Sequence, residues 1–265
     1  MIPARKSALF TRWFARDAEM RIRRAFSAVH VCGLEHLERQ VKAGPTVVVT
    51  NHTAWWDPLV ALVASHRWVD ADGYAMMDAS NLERLPFFGR VGAFGVDLGD
   101  PSDGARAMRH AAKLLARPNA LVWIFAQGRE VPVTVRPLGF RPGSREIARI
   151  AKAAVVPGAI RYEMGSVPEP ALWLSFGPAI EHVRAGVEPE LHEKAVTEEL
   201  DRVERAIGGD AAGFTLLHRK PESRILALAT RLLAFMTKPR GLRLAPHGDS
   251  TSAPSRSTRN EAPRQ

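Results

Sequence analysis

The chain has 265 residues, a formal net charge of +9, 46 % hydrophobic residues and one cysteine. That apolar share excludes wholesale disorder, and a lone Cys32 excludes an intrachain disulfide framework or a cysteine-cluster metal site. The charge lies at the two ends: residues 1–26 carry +5, residues 237–265 carry +4, and residues 27–236 are neutral. A footprint for nucleic acid runs across a folded domain, so no nucleic-acid partner is expected. Basic termini suit an anionic membrane lipid surface instead.

Residues 1–26 read as an amphipathic basic helix that associates with membranes. Leu9, Phe10, Trp13, Phe14 and Met20 fall near helical spacing among arginines, a pattern that can lie in the headgroup region. The arginines also interrupt every apolar stretch, so no signal peptide is read there. No run approaches the ~18–20 apolar residues that span a bilayer.

Residues 28–34 read as a short strand and Glu35–Val41 as a short helix. Thr46–Thr50 is a β-branched run typical of a strand buried on both faces. A helix is expected from about Pro58 to Ser65, since the residue before a proline resists helix. Tyr74–Met77 reads as a strand, and Leu82–Phe88 leads into a glycine-rich stretch from Gly89 to Gly99. Ala105–Leu115 reads as a helix, Leu121–Phe125 as a strand and Arg145–Ala153 as a helix. Val155–Ile160 reads as a strand broken by Pro157, and Ala171–Phe176 as another. Pro189–Ala206 reads as a polar helix and Ser223–Met236 as an apolar one. The Ser-, Pro- and Arg-rich end reads as a disordered tail. Alternating strands and helices imply a single α/β domain, with a mixed, mostly parallel sheet flanked by helices.

The segment carrying the clearest chemistry is Asn51-His52-Thr53-Ala54-Trp55-Trp56-Asp57-Pro58. His52 leaves the carboxyl end of a buried strand, where active sites of open α/β folds lie. A turn can bring the Asp57 carboxylate to one ring nitrogen and leave the other for a substrate, as a general base requires. An arbitrary His-x4-Asp reads more readily as a loop histidine beside a helix-capping aspartate; the context of this one reverses that. Trp55 and Trp56 read either as acyl-channel walls or as core or interface anchors. Cys32 reads as structural, and one histidine with one aspartate is too few ligands for a metal site.

Four ordered blocks over residues 28–180 resemble the glycerolipid acyltransferase family, the lysophosphatidic acid acyltransferases and their relatives. Asn51-His52-x4-Asp57-Pro58 is similar to the first block. Leu85 to Asp97, with Pro86-Phe87-Phe88-Gly89-Arg90, is similar to the second. Ile124-Phe125-Ala126-Gln127-Gly128-Arg129-Glu130 is similar to the third, and Val155-Val156-Pro157-Gly158-Ala159-Ile160 to the fourth. The resemblance implies an acyltransferase domain over 27–236 and O-acyl transfer from acyl-CoA or acyl-carrier protein to a hydroxyl of a lysophospholipid or other membrane lipid. His52 would be the general base, oriented by Asp57. Asn51, Phe88, Gly89, Arg90, Gln127, Gly128, Arg129 and Pro157 would contact substrate. No cofactor is implied beyond the donor itself, and the expected location is the cytoplasmic face of the membrane, as a peripheral or monotopic protein. A hydrolase using the same pair on water and a non-catalytic lipid-binding homologue remain alternatives.

The chain departs from the family in the third block. Gln127 stands for a glutamate, Ala126 for a proline, and Glu130 where an arginine is usual. The second block closes on Val96-Asp97 without its arginine. The family arginines are thought to hold an acceptor phosphate, so an acceptor with less charge is expected unless Arg90, Arg129, Arg136 or Arg141 compensates.

Overall fold

The run Thr46–Thr50 forms a strand that is buried along its whole length, as its β-branched composition requires. The computed structural model describes residues 1–181 and 190–221. The helix expected over Ser223–Met236 and the tail expected over 237–265 lie outside the described residues. The elements from Met1 to Lys220 make one compact unit.

In chain order they are α1 (Ala8–Ala25), β1 (Ala28–Cys32), α2 (Leu34–Ala43), β2 (Thr46–Thr50), α3 (Asp57–Val63), β3 (Asp72–Asp78), α4 (Ala79–Arg84), α5 (Phe87–Arg90), β4 (Ala93–Val96), α6 (Pro101–Leu115), β5 (Ala120–Phe125), α7 (Gly143–Ala151), β6 (Ala154–Glu163), β7 (Ala171–Phe176), α8 (Leu191–Ile207) and β8 (Thr215–Arg219). A π-helical turn, Ala64–Trp68, continues α3. The eight strands form one sheet in the order β4-β3-β5-β2-β6-β7-β1-β8. From β4 to β6 every pairing is parallel. The β6–β7 and β1–β8 pairs are antiparallel, and β7–β1 is parallel.

Alternation along β2 sorts its valines onto two cores. Val48 packs with Trp123, Leu59, Val63, Ala15 and Ile22, on the side of α1 and α3. Val47 and Val49 pack with Val122, Ala107, Ile147 and Leu200, on the side of α6, α7 and α8. Helices on both faces leave the carboxyl ends of the parallel strands as the open edge, where loops carry function.

Two expectations are corrected, and one strand was not expected at all. The glycine-rich stretch contains β4, because Gly95 lets the N-terminal segment close: a Cβ there would stand 3.2 Å from Ile2 and 3.1 Å from Ala79, and Ile2 and Gly95 exchange both backbone bonds. The β6 strand is not broken at Pro157 but runs through it to Glu163. The β8 strand has no alternating apolar pattern; it is mostly exposed, so its sequence carries no strand signal.

Phe10 and Phe14, grouped in the sequence with the outward face of α1, pack toward the core, and Phe14 lies 5.3 Å from Phe87. The buried stripe is Thr11, Ala15, Ala18 and Ile22. Leu9, Trp13 and Met20 remain exposed, at 75 %, 61 % and 49 %. At 100° per residue that outer stripe is opposite the buried one, with Arg12 and Arg16 also exposed.

Candidate active site

β2 ends at Thr50, and its neighbour β5 ends at Phe125 directly opposite. The loops that leave these two strands bind each other. Ala126 N donates to Thr50 O at 3.1 Å, and Val131 N donates to His52 O at 2.8 Å. Asn51 continues the ladder with its side chain. Its amide donates to Ile160 O (2.8 Å) and accepts from Ile160 N (2.9 Å), so the chain leaves the strand without orphaning β6.

The tight turn from His52 then folds the Asp57 carboxylate back on it. Asp57 Oδ2 is 2.7 Å from His52 Nδ1. The same oxygen accepts from Thr53 N at 2.7 Å and Ala54 N at 3.1 Å. Oδ1 accepts from the Tyr162 hydroxyl at 2.6 Å. Asp57 is fully buried, and a buried carboxylate persists only when such donors replace water. Each bond to a charged acceptor is worth about 1.5–3 kcal/mol. The first turn of α3 adds its partial positive charge. Burial, reinforced by the neighbouring Asp57 carboxylate, pushes the Tyr162 phenol well above its ordinary value, so it stays a donor. The carboxylate fixes Nδ1 and leaves Nε2 as the ring nitrogen free to accept a proton. The ring packs on Phe125, centroids 4.8 Å apart.

Gln127 holds the backbone of the same histidine. Its Oε1 accepts from His52 N at 2.7 Å and its Nε2 donates to Leu138 O at 3.2 Å. An amide makes both bonds at once; a carboxylate has no hydrogen for the second. The Glu-to-Gln departure therefore has a local reason, which is the carbonyl of Leu138.

His52 opens on a cavity of about 600 Å³. Ala61, Leu62, Val91, Ala93 and Trp123 are among its apolar walls, and Arg84, Arg129 and Arg141 line it with Glu130 and Asp78. Among the described residues none of the three arginines has a carboxylate partner within ion-pair distance. Gly128, at φ +70°, permits the Arg141 approach: a Cβ there would stand 3.0 Å from Arg141 Nε.

Of the residues singled out in the sequence, His52, Phe88, Gly128 and Arg129 line this cavity. Asn51, Gln127 and Pro157 are buried and do not line it; the first two position backbone instead. Gly89 and Arg90 give their carbonyls to the N-terminal segment, to Arg5 N at 3.0 Å and Ser7 N at 2.9 Å. Arg136 lies near Glu204 (3.7 Å). Neither Trp55 nor Trp56 lines the cavity. Trp55 is 56 % exposed, and Trp56 lines a smaller cavity with Phe26 and Tyr162. The tryptophan among the cavity's lining residues is Trp123. Burial pushes the Cys32 thiol up, which keeps it protonated and unreactive. Sequence reading missed Tyr162 and Arg84. Tyr162 is 105 residues from its partner, and its only signal is that it falls on the same face of β6 as Ile160.

No curated protein matches the sequence of the chain. Among solved structures the chain is similar to the 1-acyl-sn-glycerophosphate acyltransferase PlsC from Thermotoga maritima, at 20% identity and a TM-score of 0.54, with 75% of this chain and 80% of that one covered. That likeness is one of fold. Residues 28–161 match the family model described as Acyltransferase, about half the chain and all four sequence blocks, and the chain belongs to the acyltransferase family.

Proposed function

We propose that the chain is a lipid O-acyltransferase that moves a fatty acyl group from acyl-CoA or acyl-carrier protein to a hydroxyl of a lysophospholipid or other membrane lipid. The observation that carries the reading is a His52–Asp57 pair at 2.7 Å opening on a largely apolar cavity of about 600 Å³ with arginines in its lining. His52 Nε2 takes the acceptor's hydroxyl proton as its oxygen attacks the thioester carbonyl. The tetrahedral adduct expels the thiolate, which recovers the proton from the imidazolium. Asp57 holds the ring's orientation and balances the charge that forms on it. No covalent acyl-enzyme and no cofactor enter this scheme.

Arg84, Arg129 and Arg141 make phosphate the favoured charged group near the reacting centre, on the acceptor headgroup or on the donor's carrier. They supply the positive charge that the altered second and third blocks lack. A lysophosphatidate-type acceptor, as acylated by the Thermotoga maritima enzyme named above, is thereby a candidate. Leu9, Trp13 and Met20 with Arg12 and Arg16 form the face by which α1 meets the cytoplasmic leaflet, and exposed Trp55 adds an amphipathic anchor. Among the described residues no helix is long and apolar enough to cross a membrane.

The test is mass spectrometry of lipids after the purified chain meets acyl-CoA or acyl-carrier protein and a total membrane lipid extract, with His52→Ala in parallel. A new acylated lipid absent from the variant is the expected result, and its mass names the acceptor. Free fatty acid rising in the wild type alone would replace the transferase with a hydrolase. No change in either sample would leave a lipid-binding protein.

A further inference from the structure

α8 lies beyond the four sequence blocks, yet its first turn reaches back to the loop that lines the cavity. Glu193 Oε1 accepts from Gly139 N at 3.0 Å, and Glu193 Oε2 accepts from Phe140 N at 2.9 Å. A glutamate in the first turn of a helix ordinarily serves the free N–H groups of its own helix. Here both oxygens serve a segment 53 and 54 residues away in the chain. The residue before it, His192, places Nδ1 3.1 Å from Ser144 Oγ. The start of α8 thus touches the end of the loop and the start of α7 together.

Each residue from Leu138 to Arg141 is held by one bond. Leu138 O accepts from Gln127 Nε2 at 3.2 Å. Gly139 N and Phe140 N donate to Glu193, and Arg141 N donates to Ala126 O at 2.9 Å. Leu138 and Phe140 pack on the core that faces α8. Gly139 between them turns the chain at φ +71°, and a Cβ on it would meet nothing within 4 Å. Packing does not hold that turn; the carboxylate does. Arg141 leaves the turn exposed, with its guanidinium against Gly128 and in the lining of the cavity.

The planar fork of an arginine grips phosphate well only from a fixed approach, and on a loop that approach is set by the backbone. We propose that Glu193 is a positioning residue for phosphate recognition: by clamping Gly139 and Phe140 it fixes the approach of Arg141 to the phosphate of the bound substrate. Without the carboxylate the two N–H groups turn to water, and Arg141 keeps only its own bond to Ala126. α8 itself stays docked, because Val196, Leu200, Val203 and Ala206 bury its inner face. The inference rests on Arg141 contacting phosphate in the proposed transferase.

The experiment measures binding and turnover in the full chain, Glu193→Ala, Glu193→Gln, Arg141→Ala and the double variant of Glu193→Ala with Arg141→Ala. Calorimetry reads affinity for CoA and for a short-chain lysophosphatidate separately, which tells a carrier phosphate from a headgroup phosphate. Glu193→Ala is expected to weaken at least one of the two about fivefold. KM for the matching substrate rises alike, and kcat stays within about twofold. Glu193→Gln loses less, because its amide oxygen still accepts one of the two bonds. In the Arg141→Ala background the loss of Glu193 adds less than about twofold, since both changes act on one contact. An equal fivefold loss with and without Arg141 overturns the proposal. So does unchanged affinity for both ligands in Glu193→Ala, whatever its Tm, which would leave Glu193 a structural tie alone. A wild type that binds neither ligand removes phosphate recognition and the clamp with it. Coupled losses of affinity in a wild type that transfers no acyl group support the clamp while removing the transferase.

Discussion

The loop after β2 and the loop after β5 meet at one cavity, and they are built in opposite ways. The first takes six residues, His52 to Asp57. Its polar groups close on one another: three donors from the turn itself and one from Tyr162 converge on a single carboxylate. The second takes longer to reach α7. It gives Gln127 to the His52 backbone and lines the cavity with Arg129 and Arg141. A turn whose bonds are all satisfied fixes one atom in space, as proton transfer demands. Side chains without partners present charge to whatever enters, as recognition demands. In the proposed reaction, the first loop would set the reaction type and the second the choice of substrate.

The largest effect falls on the first loop. His52→Ala removes the base, and kcat for acyl transfer is expected to fall about a thousandfold, with Tm lowered because the buried Asp57 carboxylate loses one of its donors. A loss confined to KM would undo the division between the loops. Tyr162→Phe leaves Asp57 Oδ1 without its donor. The expected loss is about tenfold in kcat with KM kept. Because burial holds the phenol protonated, that deficit should be the same from about pH 6 to about pH 9. A deficit that varies over this range would assign Tyr162 a proton-transfer role instead of a positioning one.

Gln127→Glu tests the point where the second loop grips the first. The carboxylate can still accept from His52 N but faces the Leu138 carbonyl with no hydrogen to give. A loss of about 1–3 kcal/mol of stability and a kcat lower by several-fold are expected from thermal unfolding and turnover. Unchanged stability would mean that the Leu138 contact contributes nothing. For Arg129→Ala and Arg141→Ala the expectation reverses: KM rises about five- to tenfold for each, and kcat changes less. Raised salt should weaken the wild type more than the double variant, because partly exposed charges are screened. Equal salt sensitivity would remove phosphate from the second loop's role.

How far each loop was legible follows from the same contrast. The His52–Asp57 pair is local, so its spacing, the β-branched strand before it and the proline after it reveal it in the sequence. The central strands are legible for a similar reason, since burial on both faces selects apolar runs. Tyr162 is joined to the pair only by the β2–β6 register, which no spacing encodes. Gln127 reads as a lost glutamate until Leu138 is seen to need a donor. Arg141 is legible only as a charge, and Gly128 explains its place once the positive φ is known. The β4 strand hides in glycines selected for close approach, and β8 hides because an exposed edge strand keeps no alternation.

The smallest effect is expected on α1, which belongs to neither loop. Its outward Leu9, Trp13 and Met20 are largely exposed, with Trp13 against Phe10 and Phe14 of the same helix, and lie opposite the stripe that holds α1 on the core. Leu9→Asp with Trp13→Asp should therefore move stability by less than about 0.5 kcal/mol per site, while sedimentation with anionic vesicles falls as apolar contact is lost and negative charge is added. Activity on an acceptor embedded in vesicles should fall more than activity on the same acceptor dispersed in detergent, because the substitutions alter delivery to the cavity and leave both loops intact. An equal fall in the two assays would tie α1 to the chemistry through its packing on α3, and the separation of reaction, choice and delivery among three regions would then fail at the helix.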